Sequence, residues 1–80
     1  MASRKKDHIE PCKSRAPYVW ECHAVSENNE AVLYYRTFRE EGYREEEERQ
    51  YELEGLLISR CLELFGSCAW YSVTPIENPN

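Results

Sequence analysis

The sequence predicts an α+β domain: a three-stranded sheet in β-β-α-β order with one helix packed on one face. Three observations predict it. Two stretches rich in β-branched and aromatic residues, 18–25 and 31–38, alternate in polarity and are separated by the turn-forming pair Asn28 and Asn29. From Arg44 the apolar period lengthens to that of a helix. After Gly66 a third β-rich stretch begins.

The first 16 residues are polar, lack periodicity and carry Pro11, with Pro17 following, so they read as a flexible basic arm (residues 1–16) ahead of one domain (17–76) and a tail (77–80). Strand one is Tyr18 to Val25, with Tyr18, Trp20, Cys22 and Ala24 on one face. Ser26 to Glu30 supplies the turn, because Asn tolerates the left-handed backbone that tight hairpins need. Strand two is Ala31 to Phe38.

The helix opens on carboxylates, which favour the positive end of its dipole, and ends at Gly66, a residue suited to the left-handed cap. Its apolar positions Leu53, Leu57, Cys61 and Leu64 join Tyr51, Ile58, Leu62 and Phe65 in an arc of roughly 180°, wider than the ~100° a core-facing stripe needs. The surplus residues Tyr51, Ile58, Leu62 and Phe65 would suit a symmetric dimer. Strand three is Cys68 to Thr74, stopped by Pro75. A right-handed crossover returns it beside strand one, which gives the order 2-1-3 with strand one central and antiparallel to both neighbours.

Eighty residues with a net charge of −5 make a single small domain. Such a chain buries only a little over ~60% of its unfolded surface, so its core is thin. Charge is unevenly spread. Residues 1–15 hold five cations against two carboxylates, +3, which leaves −8 for the rest. The N-terminus lacks the apolar segment of a secretory signal, and no run approaches the ~18 apolar residues of a membrane span. The expectation is a cytoplasmic protein without a membrane partner, with Cys12, Cys22, Cys61 and Cys68 as thiols.

Chemistry-bearing patterns are sparse. The cysteines and His23 are scattered rather than arranged as close ligand pairs, so neither a metal nor another cofactor is expected. Cys22 and His23 are adjacent, which in a strand sends their side chains to opposite faces. His8 lies in the arm without an evident partner. No catalytic residues are assigned. Glu40, Glu41, Glu45, Glu46, Glu47 and Glu48 form an acidic run interleaved with Arg39, Arg44 and Arg49. Together with the strand aromatics Tyr34 and Tyr35, this run is the candidate partner-binding surface, an anionic face suited to a basic groove. The opposite reading is direct nucleic-acid binding through Arg4, Lys5 and Lys6, with bases stacking on Trp20, Tyr34, Tyr35, Trp70 and Tyr71. The negative body disfavours it.

In general plan, residues 18–74, a hairpin followed by an acid-headed helix and a final strand, resemble the small phage-encoded inhibitors of host machinery, anti-CRISPR proteins and toxin neutralisers among them. The resemblance implies a non-enzymatic inhibitor or regulator that binds a host protein or ribonucleoprotein complex in the host cytoplasm. No residue roles carry over from it.

Overall fold

The computed structural model describes residues 7–39 and 46–79. Its elements are β1 (His8–Ile9), β2 (Tyr18–Val25), a 3-10 turn (Glu27–Asn29), β3 (Val32–Phe38), α1 (Glu46–Phe65) and β4 (Trp70–Glu77). The sheet order is β1-β3-β2-β4. The central strand β2 runs antiparallel to both β3 and β4, the arrangement expected for the three long strands.

The fourth strand corrects the expectation of three. The segment assigned to a flexible arm contributes β1, parallel to β3. Its docking is long-range: the Glu10 amide donates to the Tyr34 carbonyl (2.9 Å), the Val32 amide donates to the Asp7 carboxylate (2.9 Å), and Arg60 on α1 donates to the Glu10 carboxylate (2.9 Å). His8 has a partner as well, the Glu10 carboxylate at 2.7 Å.

The hairpin turn forms because Asn28 and Asn29 take φ of 62° and 55°, conformations that Asn accepts more readily than most residues. Ser26 closes it, its buried hydroxyl accepting from the Ala31 amide at 2.9 Å. Gly66 ends α1 with φ of 84°, its amide donating to the Leu62 carbonyl at 2.8 Å.

Pro75 does not stop the last strand. The Asn78 amide donates to the Pro17 carbonyl (2.9 Å), and counted from that pair the even residues of β4 face β2 while the odd ones turn outward. Pro75 therefore lacks its N–H on the free edge, where the loss costs nothing. Gln50 of α1 donates to the outward Val73 carbonyl at 2.8 Å. This edge is blunted against pairing with another strand. The residues beyond it are also engaged: Asn78 Nδ2 donates to the Ser14 and Ala16 carbonyls at 2.9 and 2.7 Å.

Strand alternation splits the sheet into two faces. Trp20, Cys22, Ala24, Leu33 and Val73 meet Leu53, Leu57 and Cys61 of α1 in the core. Each large apolar side chain buried there stabilises by about 1.5–3 kcal/mol. The helix leaves the other face uncovered. No helix among the described residues is long and apolar enough to cross a membrane.

Candidate functional site

Residues opposite one another across antiparallel strands share a face. On the helix-free face the register therefore aligns Tyr34 of β3, His23 of β2 and Ser72 of β4 at one level, with Val32, Val25 and Trp70 at the next. His23 sits between two rings. Tyr34 lies 5.7 Å from it and Trp70 5.0 Å, both edge-on at 79° and 82°. The result is an aromatic row spanning three strands, and Trp70 is 50% exposed at its end.

Charged groups hold the row in place. The Tyr34 hydroxyl donates to Glu21 at 2.6 Å, and the Arg36 guanidinium stacks over the Tyr34 ring at 5.6 Å. Glu21 and Arg36 stand opposite each other in the register. Burial first, and then the Glu21 carboxylate, hold the Tyr34 phenol above its usual range, so it stays a hydrogen-bond donor at neutral pH. Beside Arg36 a cleft of about 570 Å³ opens, bordered by His8, Glu10, Lys13, Ser14 and Phe38. Exposed Phe38 (55%) and Ile9 (65%) extend the apolar surface. The face thus combines the Tyr34, His23 and Trp70 rings with the Arg36 guanidinium and the Glu21 carboxylate.

The structure separates the two halves of the surface expected from sequence. Tyr34 is on the helix-free face, whereas Tyr35 points to α1, packs against the core and carries Arg60 over its ring at 4.8 Å. The acidic start of α1 lies on the Tyr35 side. Glu46 pairs with Arg39, which also stacks over Tyr18 and Trp20, and Arg49 pairs with Glu52 at 2.6 Å, so cations offset part of the acidic field. Glu47 and Glu48 are exposed. Glu40, Glu41 and Glu45 lie outside the described residues, as do Arg4, Lys5 and Lys6.

Of the expected dimer stripe, Tyr51 is 79% and Leu62 48% exposed, Ile58 is half-buried, and Phe65 is drawn against the core. Trp20, considered as a stacking platform, is buried in that core, and Tyr71 falls on the face opposite Trp70.

Sequence reasoning assigned no role to His23, Glu21 or Arg36. Period-two alternation already placed them together on one face of their strands; missing was the register that aligns them with Tyr34 and Trp70. All four cysteines are thiols. Among the described residues no three His, Cys, Asp or Glu side chains converge as metal ligands. Compared with protein-family models, curated proteins and solved structures, the chain matches none.

Proposed function

We propose that this chain is a non-enzymatic binding protein, an inhibitor or regulator that seats its helix-free sheet face on another protein or ribonucleoprotein. The observation that carries this reading is the Tyr34–His23–Trp70 row, braced by Glu21 and Arg36. Binding energy at protein interfaces concentrates in Trp, Tyr and Arg side chains held in place by their neighbours. Rings already locked edge-on lose little freedom on association, so more of their contact energy appears as affinity. In its sharper form the proposal makes the chain a phage-encoded, anti-CRISPR-like blocker of a nucleic-acid-binding host complex. The general plan shared with such inhibitors and the exposed Glu47 and Glu48 support that form.

The test is affinity capture from a nuclease-treated bacterial lysate at low and moderate salt, with quantitative mass spectrometry of wild type, Trp70→Ala and a charge reversal of Glu46, Glu47 and Glu48. Trp70→Ala should weaken capture of the partner about 30-fold, the effect of losing an interface anchor of about 2 kcal/mol. Unchanged capture by a folded Trp70→Ala protein would remove the sheet face from the proposal. Unchanged capture after charge reversal would remove the acidic form of it.

A further inference from the structure

We infer that Cys61 and Cys68 form a reversible internal disulfide, a thiol oxidation site that clips the end of α1 to the segment leading into β4. The two residues stand on either side of the turn at Gly66. Cys68 packs against the core cluster to which Cys61 belongs, and the two thiols are electrostatic neighbours. Cys61 Sγ also donates to the Ser67 carbonyl at 3.3 Å, and Cys68 Sγ to the Trp70 carbonyl at 3.7 Å. The other cysteines are engaged elsewhere: Cys12 contacts the Ser14 carbonyl and Asn78, and Cys22 is buried beside Tyr35.

The pair is asymmetric in a way that orders the reaction. Cys68 is half-buried and reachable, whereas Cys61 is fully buried. With a glutathione-type disulfide as oxidant, the Cys68 thiolate attacks one sulfur of the oxidant. A mixed disulfide forms and one glutathione thiolate leaves. Cys61 then loses its proton to solvent and attacks Cys68 Sγ, forming the internal disulfide and expelling the second glutathione thiolate. Two protein thiols are oxidised, one glutathione disulfide is reduced, and the two thiol protons end on the two glutathiones.

Burial, and then the neighbouring Cys68 side chain, push the Cys61 thiol up to about 11. The second step is consequently limited by a thiolate fraction of about 10⁻⁴ at neutral pH. Placement of both residues around one turn, with Cys61 Sγ already at the Ser67 carbonyl, offsets that scarcity through a high effective concentration. Below the Cys61 pKa the closing rate should therefore rise about tenfold per pH unit.

The experiment treats the full reduced chain with oxidised glutathione and follows intact mass and peptide maps over time. The expected product is lighter by two hydrogens, joins Cys61 to Cys68, melts several degrees higher because a loop is closed, and reverts with reduced glutathione. Cys61→Ser should instead retain glutathione on Cys68, and Cys68→Ser should leave Cys61 unmodified. A wild-type chain that keeps its glutathione adduct, does not react, or joins Cys61 or Cys68 to Cys12 or Cys22 overturns the inference.

Discussion

The two faces of the sheet are built from the same three long strands yet have opposite characters. Facing α1, Trp20, Cys22, Ala24 and Leu33 are almost completely inaccessible. One residue along on each strand, Glu21, His23, Tyr34 and Arg36 form a half-buried array of rings and charges, with Val19 the wholly buried residue on that face. The difference teaches that a chain of this size makes one dry layer, and that the residues left over by alternation are free to be selected for contact. It also explains why the apolar content of the helix overshoots: one sheet face covers only the stripe Leu53, Leu57 and Cys61.

The sharpest way to break this contrast is to hollow the dry face. Leu57→Ala should cost about 2–5 kcal/mol, because Leu57 is wholly buried between helix and sheet and a cavity would remain. That is a large fraction of a small domain's total stability, and urea unfolding should show it. A loss below about 1 kcal/mol would mean that α1 is not held by this layer.

Gly66→Ala should cost about 1–2 kcal/mol, with nothing for the new methyl to strike and the whole penalty arising from φ of 84°. The same change at Gly55, which also meets open space but sits inside the helix, should be neutral or stabilising. Parallel melts of the two variants separate backbone strain from packing.

Trp70→Ala, at the end of the aromatic row, should change stability by less than about 1 kcal/mol while removing the proposed contact. If it unfolded the protein as readily as Leu57→Ala, the helix-free face would be structural and the contrast between the faces would fail.

The smallest effect sits at the rim of the covered face. The hydrogen bond from Arg60, and then that from His8, hold the Glu10 carboxyl below its usual range. A carboxyl lowered in the folded state contributes stability above its unfolded pKa, near 4.5 here, and that contribution fades as pH falls further. With the partners more than one-third exposed, the contribution should stay below about 1 kcal/mol. Melts at about pH 7 and about pH 3 should show a smaller acid-induced drop for Glu10→Gln than for wild type. Equal drops would detach β1 docking from this ion pair.

Much of the fold was legible from residues 18 to 74. The period of two in Tyr18 to Val25, the Asn pair in the turn, the helical period after the acidic run and Gly66 at its end are local preferences, and the structure keeps each of them. β1 was not legible. His8 and Ile9 carry no pattern, and their strand is held by long-range contacts, with β3 and between Glu10 and Arg60 fifty residues away. Pro75 misled for a related reason: a proline ends a strand only where its missing N–H is needed, and whether it is needed depends on which edge is free. Of the candidate site, Tyr34 was named beforehand, while Tyr35 was assigned to the same surface although alternation sends it to the other face.

What the sequence determined by itself was the set of elements, since hydrophobic period, turn chemistry and capping act over a few residues. Tertiary structure alone decided which side chains become neighbours across strands: His23 between Tyr34 and Trp70, and Glu21 at the Tyr34 hydroxyl. Register and crossover are settled by burying one common apolar layer, and every cross-strand pairing on the opposite face follows from that choice.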